Sequence, residues 1–320
     1  MTDAVTDAVD AHLDRAAAGV RRHLGNPARA EALGLRLSRV EELTGLSYQH
    51  YTPSLAMVLS GRKRSIVGEH DQRWGREHFL ITPVDLPVSA GVVELDTRGE
   101  FLSAIWRLDP AIVSEVAGSM ARTAGPTPDE PPRLGTWTPQ LADAVARFLG
   151  LLDAPEDIPV LAPLLTREVV LRLLQTEQAP RMLAAVGTPR SGIVVRAIEA
   201  LNDSIDKPWS LARLSTAVGA SPSTLARRFK QVTGMTPLHY LKRLRLGEAQ
   251  RRMVVLGESA GQAAGAVGYL SASHFSRDYR AAYDATPAAD AARVRARLRS
   301  VAAAGYRGDV PAIREAAEQE

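Results

Sequence analysis

Two stretches decide the fold: Ser221-Pro-Ser-Thr-Leu-Ala-Arg-Arg-Phe-Lys230 and, fifty residues on, Ser271-Ala-Ser-His-Phe-Ser-Arg-Asp-Tyr-Arg280. Ser221, Ser223, Leu225, Arg227, Phe229 and Lys230 recur as Ser271, Ser273, Phe275, Arg277, Tyr279 and Arg280. Thr236 and Pro237 recur at the same offset as Thr286 and Pro287. Just upstream, Ala217-Val218-Gly219 answers Ala266-Val267-Gly268 with a slip of one residue. So many matches at one offset describe one supersecondary unit used twice.

Each copy reads as helix, turn, helix. In the first, Ser210 caps a short helix whose apolar positions Leu211, Leu214, Ala217 and Val218 share one face. Gly219 supplies the turn, Ser221 caps the next helix, and Pro222 suits its first turn, where the missing N–H has no partner to lose. Leu225 and Phe229, four apart, form a buried stripe. Gly234 and Pro237 close the unit. The second copy runs from about Ser259 to Pro287, with Phe275 and Tyr279 inward. Its first helix carries Gly257, Gly261 and Gly265 at four-residue spacing, which implies either close packing through a glycine face or local softness. Between the units, Tyr240 to Val255 reads as one helix holding them rigidly apart. Leu241, Leu244, Ala249 and Met253 face inward, and Lys242, Arg243, Arg245, Arg251 and Arg252 stay mostly outside.

With those stripes buried, Ser223, Thr224, Ala226, Arg227 and Lys230 of one helix face outward, as do Ala272, Ser273, Ser276, Arg277 and Arg280 of the other. A helix exposed in this way enters the major groove, about 12 Å wide, and reads base edges. Arg227 and Arg277 have the chemistry for bidentate contact with guanine. The serines and Thr224 suit bases or phosphates, and Lys230, Lys242 and Arg280 suit phosphates. Charge agrees: residues 191–300 hold 17 Lys/Arg against 8 Asp/Glu, and the remainder holds 22 against 28, so the basic excess lies where a polyanion would be met.

These residues closely resemble the DNA-binding domain of AraC-type regulators. The resemblance is carried by Lys207-Pro-Trp-Ser-Leu-Ala-Arg-Leu, by Gly219 to Lys230, by Thr233 to Leu246, and by Val267-Gly-Tyr-Leu-Ser-Ala-Ser-His-Phe-Ser-Arg-Asp-Tyr. It implies two recognition helices in adjacent major-groove segments. Ser223, Ala226 and Arg227, with Ala272, Ser273, Ser276 and Arg277, would occupy the base-facing positions. Asp284 departs from the family's glycine, and Gly261 and Gly265 replace a normally Ala-rich helix.

The N-terminal part reads differently. From Val40 to about Arg107 short apolar runs alternate with turn punctuation at Gly61, Gly68, Gly75, Pro83 and Gly91, which indicates strands of a small barrel or double-sheet jelly roll. Helices follow at Pro110–Met120, Gln140–Leu152 and Pro159–Gln175, and Gly125 to Pro132 is a linker. Thr52-Pro-Ser-Leu, Gly61-Arg-Lys-Arg, Val84-Asp-Leu-Pro-Val and Leu108-Asp-Pro resemble the cupin-like N-terminal domain of one branch of these regulators. That resemblance implies small-effector binding and dimerisation through the following helices. Tyr51, Arg62, Arg64, Trp74, Phe79 and Trp106 are the candidate effector contacts, with core packing and a charged strand edge as their ordinary alternatives.

The expected organisation is α+β: residues 1–188 a cupin-like β-barrel with trailing helices for effector binding and dimerisation, residues 191–300 an all-α double helix-turn-helix domain, and residues 301–320 a tail. The expected partners are double-stranded DNA, a small-molecule effector, a second copy of the chain and RNA polymerase. Mean hydropathy is −0.10 and no long apolar run exists, so no membrane span is expected, and the Asp-bearing start from Met1 to Asp14 is unlike a secretory signal; both indicate the cytoplasm. With no cysteine, thiolate metal sites, iron–sulfur clusters and cysteine nucleophiles are excluded. Glu69, His70 and His78 lie close in sequence without metal-ligand spacing, and no cofactor or catalytic residue is implied. Two rival readings stay open: a metal-dependent cupin enzyme fused to DNA-binding helices, and an effector-independent DNA-binding protein.

Overall fold

The computed structural model describes residues 2–68, 70–120, 134–186 and 192–303. Helices α1 (Thr2–His23) and α2 (Pro27–Ala32) precede eight strands: β1 (Leu35–Val40), β2 (Ser47–Tyr51), β3 (Ser54–Ser60), β4 (Arg62–Val67), β5 (His70–Gly75), β6 (His78–Thr82), β7 (Leu86–Glu94) and β8 (Phe101–Arg107). Then come α3 (Pro110–Ser119), β9 (Leu134–Thr136), α4 (Pro139–Gly150), α5 (Ile158–Leu173) and α6 (Ala179–Val186). The rest is helical: α7 (Gly192–Asn202), α8 (Leu211–Ala217), α9 (Pro222–Thr233), α10 (Pro237–Val255), α11 (Ala260–Ala266), α12 (Ala272–Tyr283) and α13 (Pro287–Ala303). The linker Gly125–Pro132 and residues 304–320 of the tail lie outside the described residues. No described helix is long and apolar enough to cross a membrane.

The strands form two antiparallel sheets, ordered β1-β8-β3-β6-β9 and β2-β7-β4-β5, which is the double-sheet alternative of the sequence reading and not a closed barrel. Alternation explains the layering. Leu55, Met57, Leu59, Phe79, Ile81, Ala104 and Trp106 point away from the second sheet and pack beneath α1, α4 and α5. Ala56, Val58, Leu80, Phe101, Val88, Ala90 and Trp74 point between the sheets. Helix α1 has no counterpart in the sequence reading, although Leu13, Ala16, Ala17 and Val20, all buried, follow the spacing of a helical stripe. Gly91 is not a turn residue. It lies within β7, where a Cβ would stand 2.6 Å from the Thr44 carbonyl oxygen.

The outer face of the four-stranded sheet carries the helical C-terminal module. Helix α10 lies against β7 and β2, and this overturns the expected outward placement of Arg243. That side chain is 6% exposed, and its guanidinium donates to Ser89 Oγ at 2.5 Å and to the Ile66 carbonyl at 3.4 Å. Burial pulls its pKa below the ordinary arginine value. Tyr240 Oη donates to the Asp85 carbonyl at 3.0 Å, and the Tyr48 amide donates to Gln250 Oε1 at 3.1 Å. The helix can approach this closely because residue 247 is glycine: a Cβ there would lie 2.1 Å from the Tyr48 ring.

Gly247→Ala should therefore destabilise the protein by about 1–3 kcal/mol through overpacking. In a Tyr48→Ala background the same change should stabilise by up to about 1 kcal/mol, since alanine favours helix over glycine. Chemical denaturation of the four variants measures both signs. An unchanged sign would mean that Tyr48 does not set the approach.

Candidate nucleic-acid interface

The two repeated units fold as their capping residues dictate. Ser210, Ser221 and Ser271 accept hydrogen bonds from the amides of Arg213, Thr224 and His274, three residues on, and Ser259 forms a full capping box with Gln262. The turns are made by Gly219 (φ +68°) and Gly268 (φ +84°), as their placement in sequence requires. Leu225, Phe229, Phe275 and Tyr279 are essentially fully buried. Of the two alternatives left by the spaced glycines, close packing through a glycine face is not what the structure has. Gly257 is a turn residue with φ +69°, and a Cβ on Gly261 or Gly265 would meet nothing within 4 Å, so no glycine face is packed.

The helices expected to enter the major groove are α9 and α12. On α9, Ser223, Arg227 and Lys230 are exposed, and Thr224 and Ala226 are half-buried at its edge. On α12, Ala272, Ser273, Arg277 and Arg280 are exposed and Ser276 is half-buried. The structure thus brings each set of five together on one face of one helix. Among the described residues no ion pair or side-chain hydrogen bond engages Arg227, Lys230, Arg277 or Arg280. Most other arginines among the described residues are tied down, for example Arg64 to Asp71, Arg147 to Asp143 and Arg252 to Glu258. Four cations left without protein partners on two helix faces are available to an external anion.

His274 is a residue that the outward-face reading missed. It is exposed, with Nε2 3.4 Å from Asp278 Oδ2 and its ring edge-on to Tyr269 at 5.9 Å between centroids. The signal was present, because His274 is the fifty-residue counterpart of Thr224. Lys242, expected at a phosphate, pairs with Asp278 at 3.2 Å.

Asp284 closes α12 in the left-handed conformation, φ 55°, where the first unit uses Gly234 with φ 74°. Its carboxylate explains why a side chain is there: Oδ2 accepts from Arg64 Nη1 at 3.0 Å, linking the second unit to β4. In the same unit Asp290 is fully buried and accepts from Tyr279 Oη at 2.8 Å and from Gln250 and Arg293, while Arg293 also donates to the Leu46 carbonyl at 2.9 Å.

The six effector candidates do not converge. Tyr51 and Trp74 lie between the sheets, where Trp74 Nε1 donates to Ser65 Oγ at 3.1 Å. Phe79 and Trp106 lie on the far side of the first sheet, against Trp137 and Phe148, each at 4.9 Å between ring centroids. Arg62 and Arg64 lie on the outer face of the second sheet, paired with Glu77 and Asp71. His70 and His78 belong to no group of three or more metal-ligating side chains among the described residues, and Glu69 lies outside them.

A family model described as the AraC-type transcriptional regulator N-terminus matches residues 31–181, and a helix-turn-helix domain model matches residues 214–293. Residues 31–181 thus belong to the AraC-type regulator N-terminus family, and residues 214–293 to a helix-turn-helix domain family. Among similar proteins is the HTH-type transcriptional activator RhaS of Pectobacterium carotovorum subsp. carotovorum (strain PC1), 33% identical over 43% of this chain and 48% of the relative. A transcriptional regulator of Chromobacterium violaceum with an AraC-type DNA-binding domain is 31% identical over 32% of this chain and 91% of that one, with a TM-score of 0.31. ToxT from Vibrio cholerae O395 aligns over 80% of this chain and 96% of its own at 12% identity and a TM-score of 0.49. The chain spans about half the length of the curated relatives it matches.

The left-handed backbone at Asp284 gives a sharp expectation. Asp284→Gly and Asp284→Ala both remove the contact with Arg64, but only glycine relieves the backbone. Thermal unfolding should rank the glycine variant above the alanine variant by about 1 kcal/mol. Equal stabilities would show that the left-handed geometry carries no strain.

Proposed function

We propose that this protein is a sequence-specific DNA-binding transcriptional regulator, with residues 191–300 binding double-stranded DNA and residues 1–188 binding a small-molecule effector and a second copy of the chain. The observation that carries the DNA reading is the pair of repeated helices, α9 and α12, each presenting exposed basic side chains without protein partners. In this reading Ser223, Ala226 and Arg227, with Ala272, Ser273, Ser276 and Arg277, face base edges. Thr224 stands beside them, and Lys230 and Arg280 hold phosphates. Ala226 and Ala272 offer no hydrogen bond, so direct readout falls mainly on the two arginines and on thymine methyl contacts.

The effector reading has a mechanical basis. Strands β4 and β7 separate the inter-sheet space from α10, and they contribute the Ile66 carbonyl and Ser89 that hold Arg243. A ligand that moves these strands changes the seat of the DNA-binding module, and its influence on DNA affinity equals its differential affinity for the two arrangements.

Self-association is assigned to α1, α4 and α5. Val160, Leu161 and Leu164 are 68%, 38% and 61% exposed on α5. Leu161 and Leu164 line a groove of about 840 Å³ whose floor includes the small residues Ala18, Gly19, Ala146 and Gly150. A ridge of large apolar side chains beside a floor of small ones is self-complementary under a two-fold axis.

Arg227→Ala and Arg277→Ala should each relax specificity at one or two base pairs by about 1–3 kcal/mol, measured by selection from a random DNA library followed by titration of the selected sites. Lys230→Ala should weaken all sequences alike and shallow the salt dependence. Uniform loss for the arginine variants would reassign them to phosphates. Failure of the wild type to prefer any sequence would defeat the reading. In a separate test, a Leu161→Glu, Leu164→Glu variant should sediment as a monomer where the wild type sediments as a dimer; a dimer in both would place the interface elsewhere.

A further inference from the structure

Helices α9 and α12 are copies of one unit, yet they differ in the charge they carry. Fifty residues after Arg228 of α9 stands Asp278 of α12, and fifty after Thr224 stands His274. An acid on a helix that approaches a polyanion is repelled by it, and Asp278 is kept there by partners. Its side chain is 11% exposed. Oδ1 accepts from Lys242 Nζ of α10 at 3.2 Å, and Oδ2 accepts from Tyr269 Oη, in the turn before α12, at 3.2 Å. Burial, and then the neighbouring Asp278, hold the Tyr269 hydroxyl above its ordinary pKa, so it remains a donor. Arg245 of α10, the other charge near Tyr269, is held by the carbonyls of Ile205 and Lys207, each at 2.8 Å.

The third neighbour is His274, one turn earlier on α12. Its Nε2 stands 3.4 Å from Asp278 Oδ2, and its ring is edge-on to Tyr269 at 5.9 Å between centroids. The carboxylate draws the proton of the neutral ring to Nε2, because the partner of one ring nitrogen decides the tautomer. Nδ1 is left with a lone pair, and among the described residues no hydrogen bond engages it. The side chain is 56% exposed at the third position of the helix, close to Ser273 and Arg277, where a helix inserted by its N-terminal end meets base edges. When the ring is neutral, Nδ1 accepts, and in the major groove the exocyclic amines of adenine and cytosine donate. When it is protonated, Nδ1 donates, and guanine N7 and O6 accept. Of the side-chain types gathered here, imidazole is the one whose charge changes between pH 5 and 8.

We propose that His274 is a specificity-determining residue of the second unit, reading adenine or cytosine when neutral and guanine once it has taken a proton from solvent, with Asp278 positioning its ring. This rests on the reading of α12 as a helix in the major groove and adds a residue to its base-facing set. The first unit has no such dependence, since Thr224 does not titrate and Arg228 stands where the acid would be. A change of pH near neutrality therefore re-ranks DNA sites through the second unit alone, while Arg227 and Arg277, always charged, read as before.

The test uses the full chain and selection from a random DNA library at about pH 6 and about pH 8, the range over which imidazole changes charge. On acidification the wild type should shift its preference at one base pair of the second unit's half-site from adenine or cytosine toward guanine, by about tenfold. His274→Thr, which places the first unit's residue at an exposed position, should show one preference at both pH values. Asp278→Asn should keep the shift but move its midpoint to lower pH, because the negative charge that favours the protonated ring is gone. His239→Gln, at the other histidine of residues 191–300, should shift like the wild type. An unchanged wild-type preference across the range would overturn the proposal while leaving DNA reading by α12 standing. So would a shift that survives in His274→Thr. An affinity that rises in acid equally for all sequences, with a steeper salt dependence, would also overturn it by placing the proton at a phosphate contact. A wild type with no preference at either pH would defeat both the proposal and the reading beneath it.

Discussion

A guanidinium buried between a helix and a sheet organises this molecule. Arg243 comes from the middle of α10, the helix that joins the two DNA-binding units, and its hydrogen bonds end on β4 and β7 of the N-terminal domain. A buried arginine is costly unless its donors are satisfied, so the helix and the sheet must meet in one geometry. Gly247, Tyr240 and Gln250 lie on the same helix and fix the rest of that geometry against Tyr48 and Asp85. Helix α10 is thus more than a spacer between two recognition helices. It is the surface on which the N-terminal domain is mounted.

The two repeated units are joined to that domain by different chemistry. The first shares a hydrophobic core with the inter-sheet space: Leu225, Phe229, Val232 and Leu244 belong to one buried cluster with Val88, Ala90 and Trp74. The second has its own core, built on Phe275, Tyr279 and Met253, and reaches the N-terminal domain through Arg64–Asp284, Arg293 to the Leu46 carbonyl, and Gln250 to Tyr48. Apolar contact tolerates small slips, whereas hydrogen bonds and ion pairs depend on distance and angle. A shift of the sheets would therefore be felt first as lost polar contacts at the second unit, while the first travels with the sheet.

The DNA-binding half was legible in the sequence because its signals are local. Capping serines, turn glycines and the four-residue spacing of Leu225 with Phe229 and of Phe275 with Tyr279 each depend only on near neighbours, and duplication wrote them twice. The same logic, applied consistently, reaches His274, since it is the counterpart of Thr224. The strands of the N-terminal half were legible as strands for the same reason. Their closure was not, because whether nine strands form a barrel or two sheets depends on pairings between residues far apart, such as Leu35 with Trp106 and Ser47 with Ala90. The scattered aromatics show the limit most plainly. Phe79 and Leu80 are adjacent in sequence and lie on opposite faces of one sheet, in different cores.

The sequence by itself determined the two helix-turn-helix units, their outward faces, the α+β division and the absence of thiol chemistry. Each of these follows from residue identity and short-range periodicity. Only the tertiary structure decided that Arg243 is buried, that Asp284 keeps a side chain where glycine would be more comfortable, and that Lys63 faces inward while Arg62 and Arg64 face outward. Those three facts depend on what stands opposite each residue: Ser89, Arg64 and Tyr51. Each partner is distant in sequence or lies on another strand, and no local propensity encodes it.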